Sequence, residues 1–230
     1  MEYFTLNFIA DNKETGFVFP QTIFNNPKKF NPNPVLLANQ AIDGVYPPDN
    51  ILPFDYLELN KDAKLTDLMS SSLRGNGFLI SQKLKTILEE ANIKDYKFYD
   101  VKLFDEEKEI KGYCYFHSAS CLRNYINYEK SKFYIGDILR NYIRDLGFIP
   151  TKFDDLEKHQ KDLPYAQEVV CVKQFYLSNS FPFNLDLFLI RAYNYDFFIS
   201  KRLKEKIEEN KITGVLIKSI GDLIKTPALA

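Results

Sequence analysis

Three residues near the middle of the chain have the types and spacing that metal binding or thiol chemistry requires. Cys114, His117 and Cys121 form a C-x2-H-x3-C cluster. Thiolates and imidazoles at close spacing are ligands that zinc prefers, although a fourth ligand would have to come from His159, Cys171 or a distant carboxylate. Cys114 also lies in an aromatic-rich segment, where a free cysteine is usually a small buried apolar residue. The sequence therefore favours a structural role for this cluster and predicts no metal site.

The same cluster is the chain's best source of a nucleophile. A catalytic cysteine needs an activated thiolate and a base, which only His117 or His159 could provide. The residues around them do not resemble a nucleophile turn. The chain also lacks the serine-hydrolase elbow, the phosphate-binding loop, the dinucleotide fingerprint and the zinc-protease motif. We predict no catalytic residue and no cofactor. A small cytoplasmic hydrolase that uses the region of Cys114, His117 and Cys121 is the alternative.

Two groups of carboxylates could act as acid–base pairs if they were desolvated. The first consists of Asp105, Glu106, Glu107 and Glu109, and the second lies within residues 154–157. Both stand in polar, turn-like stretches, so a solvated surface is the simpler interpretation. A surface of this charge can also complement a basic protein. We predict the first group as a contact with such a partner.

Composition excludes several classes of protein. The 230 residues carry 30 Lys and Arg against 31 Asp and Glu, and this balance does not favour nucleic acid or an anionic membrane as a partner. No apolar run reaches the roughly 18 residues that a membrane helix needs. The first residues lack the basic and apolar regions of a signal peptide, and three cysteines do not suggest a disulfide framework. We therefore expect a cytoplasmic protein with no membrane contact.

The element that organises the chain is a stretch that occurs twice. Residues 78–93 and 197–212 align without a gap at an offset of 119 residues and share eight of 16 positions. Each copy begins with an apolar Phe-x-Ile run, which is typical of a strand. Ser81 and Ser200 follow at the position of a helix N-cap, and apolar residues then recur at helical spacing. Each copy therefore predicts a strand, a serine cap, a helix and a returning strand.

The remaining patterns predict an α+β fold, with a mixed or antiparallel sheet, helices packed on it and two related strand–serine–helix–strand units. Residues 20–53 hold seven of the 11 prolines, which predicts an irregular arm. Short helices are expected at residues 66–69, 136–146 and 220–230. Strands are predicted over residues 1–10, 57–59, 96–103, 111–117, 131–135, 168–177, 185–192 and 215–218, and a polar helix over residues 154–161.

The repeat also carries a resemblance to a known family. The C-terminal copy reads Phe198-Ile199-Ser200-x-Arg202-Leu203-Lys204 and continues to Thr213-Gly214-Val215. This signature resembles the bacterial immunity proteins of polymorphic toxin systems, in the group long catalogued only as a domain of unknown function. Members also carry an earlier aspartate–leucine followed by a strand–serine–helix segment, which Asp67-Leu68 and residues 78–90 match here. The middle segment at residues 128–133 resembles the family more faintly.

The resemblance spans roughly residues 55–218, so it predicts an N-terminal strand and proline-rich arm over residues 1–54 and an immunity-protein-like α+β domain over residues 55–230. One continuous domain over residues 1–230 is the alternative. The resemblance implies a cytoplasmic, non-enzymatic protein that binds a cognate toxin and blocks it. It supplies no catalytic residue, cofactor or toxin contact. An adaptor domain without a toxin partner is a third interpretation.

Overall fold

The computed structural model describes residues 2–17, 19–23, 57–71, 76–137 and 142–227. Within these ranges the chain forms four α-helices and sixteen strands, so the predicted α+β class is confirmed. The strands are β1 (Tyr3–Phe8), β2 (Thr22–Ile23), β3 (Leu57–Leu59), β4 (Leu68–Met69), β5 (Gly77–Ser81), β6 (Tyr96–Asp100), β7 (Leu103–Asp105), β8 (Lys108–Ile110), β9 (Tyr113–Ser118), β10 (Lys132–Asp137), β11 (Tyr142–Asp145), β12 (Glu168–Tyr176), β13 (Leu187–Phe188), β14 (Phe197–Ser200), β15 (Val215–Ser219) and β16 (Ile224–Lys225). The helices are α1 (Asn12–Thr15), α2 (Gln82–Glu89), α3 (Phe153–Asp162) and α4 (Lys201–Glu209), and a 3-10 turn spans Arg123–Tyr125.

The two sequence repeats build two sheets of the same topology. The first sheet has the strand order β4-β5-β9-β6 and the second has the order β13-β14-β1-β15. Strands β4, β5 and β6 and helix α2 correspond to β13, β14, β15 and α4 at the offset of 119 residues. We call these the first and second repeat units.

The remaining strand of each unit differs in its place along the chain. Strand β9 follows β6 in the first unit, whereas β1 opens the chain and completes the second unit. The pairings are nevertheless equivalent, because Tyr113 lies opposite Ser81 and Tyr3 lies opposite Ser200. The N-terminal strand is therefore an internal strand of the second unit's sheet.

The two units face each other across a shared core. Leu84, Ile87 and Leu88 of α2 and Leu203 and Ile207 of α4 are all buried in it. The equivalent residues Phe78 and Phe197 touch directly, with ring centroids 4.3 Å apart. Both helices place basic residues early and glutamates late, which opposes the helix dipole, so packing of the apolar stripe must stabilise them.

Each repeat sheet is covered on its other face by an outer sheet. Strands β2-β3-β7-β8 cover the first unit, with Leu57, Met69, Leu79 and Leu103 buried between the sheets. Strands β11-β10-β12-β16 and helix α3 cover the second unit over a larger aromatic core. The acidic turn at residues 105–109 thus belongs to the outer sheet of the first unit, whereas β11 is the terminal strand of the outer sheet of the second.

Several predicted elements match the structure in type and position. Strands form within or across the predicted residues 1–10, 57–59, 96–103, 111–117, 131–135, 168–177 and 215–218, and the polar helix forms as α3. Strand β9 pairs with β6 as the predicted antiparallel partner, with the β7–β8 hairpin inserted between them. Most of the predicted irregular arm, residues 24–53, lies outside the described residues.

The predicted short helix at residues 66–69 is wrong, because Leu68 and Met69 form strand β4 instead. Leu68 packs into the shared core and Met69 into the core beneath the outer sheet. Successive residues of a strand point to opposite faces, so a strand is the structure that buries both side chains.

Three other predictions also need correction. Within the predicted helix over residues 136–146, Gly136 and Asp137 end β10 and residues 142–145 form β11, while residues 138–141 lie outside the described chain. The predicted strand over residues 185–192 is shortened to β13, because only Leu187 and Phe188 pair with β14. All of residues 185–192 are nevertheless buried. The tail forms β16 parallel to β12 rather than a helical turn. None of the described helices has the length and apolarity to cross a membrane.

Candidate protein-binding surfaces and buried polar clusters

The Cys114, His117 and Cys121 cluster does not converge on one point. Cys114 and His117 are three residues apart on β9, so their side chains leave opposite faces of the sheet. Cys114 lies in the shared core, whereas His117 contacts the rings of Tyr99 and Tyr115 on the other face. Cys121 is half-buried beyond the end of the strand. Among the described residues no three His, Cys, Asp or Glu side chains come together as a metal site.

The chemistry of Cys114 also opposes a nucleophilic role. Burial raises the pKa of its thiol to about 11, and the nearby cation of Lys85 lowers it only in part. At neutral pH the side chain is therefore a thiol, which is neither the nucleophile nor the metal-binding form of cysteine. Cys114 acts as a small apolar residue in the core, as its sequence context indicates.

The acidic residues at 105–109 form the exposed end of a hairpin, which we call the acidic hairpin. Strands β7 and β8 are joined by Glu106 and Glu107, and Asp105 lies directly opposite Lys108. Residues 105–109 are all exposed. Glu106 adopts φ 53°, a left-handed conformation that non-glycine residues rarely adopt and that tight hairpin turns require.

The base of the acidic hairpin is held by the core. Leu103 is fully buried against Leu57, Met69 and Leu79. Strand β3 pairs with β7 in parallel, and the backbone N–H of Leu57 donates to the carbonyl of Lys102 at 3.0 Å. Four carboxylates and one lysine are thus presented to solvent on a well-anchored turn, and this arrangement suits electrostatic contact with a basic surface.

Two carboxylates with several hydrogen bonds lie elsewhere, at the junction of the two units. The Asp186 carboxylate accepts hydrogen bonds from the Ser200 hydroxyl at 2.6 Å and from the backbone N–H of Asn92 at 2.8 Å. Arg202 donates to the same carboxylate with both Nε and a terminal nitrogen. Partial burial alone would raise the pKa of Asp186, but these donors and the Arg202 charge outweigh it and hold the pKa below its usual value.

Asp67 occupies the equivalent place in the first unit. It accepts hydrogen bonds from Ser81 at 2.6 Å and from the backbone N–H of Thr213 at 2.9 Å. Lys83, at the position equivalent to Arg202, lies 3.9 Å away. Burial again acts to raise the pKa of Asp67, and the hydrogen bonds with the Lys83 charge bring it below its usual value. A depressed pKa keeps both aspartates ionised, as fixed structural anions rather than proton donors.

The serines of the repeat carry a double role at these junctions. Ser81 and Ser200 are the N-cap residues of α2 and α4, and their hydroxyls accept from the backbone N–H of Leu84 and Leu203. Each hydroxyl also donates to its aspartate. Sequence reasoning did not single out Asp186. The signal was present, because Asp186-Leu187 follows Asp67-Leu68 at the same offset of 119 residues.

A second exposed surface lies on the outer sheet of the second unit. Tyr142 and Ile143 of β11 are 56% and 65% exposed, and Ile149 in the following turn is 73% exposed. Beside them lies a groove of about 530 Å³, whose lining includes Phe133 and Tyr134. Exposed apolar surface of this kind marks protein-interaction sites. Sequence reasoning missed it, because the helix predicted over residues 136–146 would have buried Tyr142 and Ile143.

Comparison with known proteins adds no relative to these observations. No protein-family model matches the chain, and no curated protein matches it either. The resemblance to immunity proteins of polymorphic toxin systems therefore stays a prediction from the repeat residues.

Proposed function

We propose that this protein is an immunity protein that binds a cognate bacterial toxin in the cytoplasm and neutralises it by steric and electrostatic blocking, without catalysis. The acidic hairpin carries the proposal, because it presents Asp105, Glu106, Glu107 and Glu109 to solvent on a turn that the core holds in place. Toxins that act on nucleic acid need a basic surface, and a rigid acidic protrusion complements such a surface.

The proposal also rests on the residues of the repeat. The signature that resembles the immunity family supports the junction between the two units. Ser200 and Arg202 hold Asp186, which accepts from Asn92 of the first unit. Gly214 lies close against the carbonyl of Leu68 in the first unit. These residues are committed to the fold, so they are unsuited to variable recognition of a toxin. Contact residues would then lie on exposed surfaces that the repeat supports, and the acidic hairpin is one of them.

The geometry does not support Cys114 and His117 as the nucleophile and base of the hydrolase alternative. Its thiol at Cys114 is buried and protonated at neutral pH, and His117 lies on the opposite face of the sheet. A thiol and its base must lie within hydrogen-bonding reach of each other. We therefore argue only for the binding function.

The proposal is tested by removing charge from the hairpin without changing its shape. Glu106→Gln, Glu107→Gln and Glu109→Gln together leave the cross-strand pair of Asp105 and Lys108 in place. We expect the dissociation constant for the cognate toxin to rise about tenfold or more. The salt dependence of binding should weaken as well, because fewer charges contribute to association.

A matched control removes the same number of charges from α3. Asp154→Asn, Glu157→Gln and Asp162→Asn are exposed changes on the outer sheet's helix, away from β7 and β8. We expect this variant to bind the toxin as the unaltered protein does. Equal affinity of the two triple variants would remove the acidic hairpin from the proposal.

A further inference from the structure

Strand β11 is an edge strand with an unusual surface. In the described sheet it stands at one end of the order β11-β10-β12-β16 and pairs with β10 alone. Edge strands expose backbone groups to pairing with other chains, and soluble proteins protect them with charged side chains (lysine above all), proline, bulges or covering segments. The four residues of β11 include no lysine or proline, and of its two charged residues Arg144 is paired with Glu168, which leaves Asp145 as the one exposed charge. Tyr142 and Ile143 are more than half exposed.

We propose that two copies of this chain associate through β11, which pairs antiparallel with β11 of the second copy so that Ile143 faces its own counterpart. The two outer sheets then join into one continuous sheet about a two-fold axis. A pairing of this kind is isologous, so it closes at a dimer. The proposal concerns the protein alone and does not depend on toxin binding.

Symmetry restricts the possible registers. Residues directly opposite each other in an antiparallel pair point to the same face of the sheet, and successive residues alternate between faces. Two identical strands can therefore pair only in registers that place a residue opposite itself. The two registers centred inside β11 put either Ile143 or Arg144 on the two-fold axis.

Charge decides between these two registers. Centring on Arg144 would place two guanidinium groups directly opposite each other, and like charges in that position are destabilising. Centring on Ile143 places two exposed apolar side chains against each other. It also places each Arg144 opposite Tyr142 of the second copy, on the same face, where a cation–π contact is favourable. The register centred on Ile143 therefore gives both Ile143 and Arg144 a favourable neighbour in the second copy.

The strand is held ready for such pairing by contacts within its own chain. Arg144 donates to both carboxylate oxygens of Glu168, at 3.3 and 3.1 Å, and Glu168 is nearly buried. Gln160 of α3 in turn holds the start of β12, since it donates to the carbonyl of Glu168 and accepts from the backbone N–H of Val170. A rigid edge loses little conformational freedom on association, which favours binding.

The mass of the protein in solution tests the proposal. Light scattering over a concentration series up to roughly 1 mM should show a rise from the single-chain mass of 26.9 kDa to twice that value. Ile143→Lys places two cations opposite each other on the axis and should remain a single chain throughout the series. Because Ile143 is 65% exposed, this substitution should not disturb folding. A single-chain mass for the unaltered protein, or an unchanged dimer for Ile143→Lys, would overturn the proposal.

Disulfide cross-linking tests the register itself. In the proposed pairing the two residues at 143 are neighbours, with Cβ atoms about 5 Å apart. In the same register residue 145 of one copy lies opposite position 141 of the other. The two residues at position 145 are therefore four positions, or roughly 13 Å, apart along the strands. Ile143→Cys should therefore form a disulfide dimer on mild oxidation, whereas the equally accessible Asp145→Cys should not exceed the background of the native cysteines. Equal cross-linking of both variants would contradict the register.

Discussion

The carboxylate of Asp67 in the first repeat unit accepts a hydrogen bond from the backbone N–H of Thr213, which follows the helix of the second unit. The relationship is reciprocal, because Asp186 of the second unit accepts from the backbone N–H of Asn92, which follows the helix of the first. Each aspartate thus fixes the start of its own helix through a serine and the end of the other unit's helix through a backbone group. These two reciprocal contacts, Asp67 with Thr213 and Asp186 with Asn92, hold the two repeat units together, and we call them the clamp.

The two halves of this clamp should differ in strength. Asp186→Ala removes a nearly buried carboxylate with two donors on Arg202, while Asp67→Ala removes a more exposed one whose cation lies 3.9 Å away. We expect Asp186→Ala to reduce the free energy of unfolding by about 3 kcal/mol and Asp67→Ala by less, because a more buried network loses more when one partner is removed. Urea denaturation measures both, and Asp222→Ala on the exposed surface serves as the control. A smaller effect at Asp186 than at Asp67 would contradict the account.

Stability should fall in acid through the same two aspartates. Hydrogen bonds and nearby cations hold their folded-state pKa values below the ordinary 3.8. The unfolded state therefore takes up protons first as the pH falls, so the stabilisation is complete above the ordinary pKa and is lost as the pH drops through the folded values. Denaturation between pH 6 and about pH 2 should show a shallower decline for a variant with Asp67→Asn and Asp186→Asn than for the unaltered protein. Parallel curves would show that these two groups do not titrate with unfolding.

A single glycine in the family-like signature should prove indispensable. Gly214 has φ 78°, and a Cβ at this position would stand 2.1 Å from the carbonyl oxygen of Leu68. Gly112 has a similar φ of 85° with open space around it, so it serves as a matched control. Gly112→Ala should lower the free energy of unfolding only by the cost of backbone strain, on the order of 1 kcal/mol. Gly214→Ala should lower the free energy of unfolding by several times as much, because strand β4 must move to make room for the Cβ atom. Thermal denaturation measures both variants. Equal losses would mean that the close approach to Leu68 is relieved without cost.

The three cysteines should differ in reactivity. Burial raises the pKa of Cys114 to about 11, whereas Cys121 and Cys171 are half-buried. We expect iodoacetamide at pH 8 to modify Cys121 and Cys171 well before Cys114, as read by mass spectrometry of peptides. The urea-unfolded protein, in which all three thiols are free to react, provides the control. Rapid modification of Cys114 in the folded protein would reopen the hydrolase interpretation.

The repeat was the part of the fold that the sequence predicted best. Its strand, serine and helix follow from local signals, since a Phe-x-Ile run, a hydroxyl cap and a helical apolar spacing act within a few residues. The clamp could not be predicted in the same way. Asp67 and Thr213 are 146 residues apart, and nothing in either local sequence reveals their contact. Only the offset of 119 residues linked Asp186 with Asp67.

The error over residues 136–146 has a physical cause. Residues 136–146 carry apolar residues at helical spacing, yet Tyr142 and Ile143 belong to an exposed edge strand. Local periodicity assumes that apolar residues face the core of the same chain, and this assumption fails at an exposed edge strand. The four carboxylates of the acidic hairpin were predicted at a turn, and their exposure agrees with that expectation. Their role in toxin binding stays a prediction.

The most direct test of the central claim is protection of cells from a cognate toxin, sought first among the products of the genes beside this one. Cells that express the toxin should survive when the protein is co-expressed, and the two proteins should purify as a complex. The variant with Glu106→Gln, Glu107→Gln and Glu109→Gln should protect less well than the triple variant on α3 at equal protein levels. Absence of both protection and a complex, with folded protein present, would contradict the immunity function.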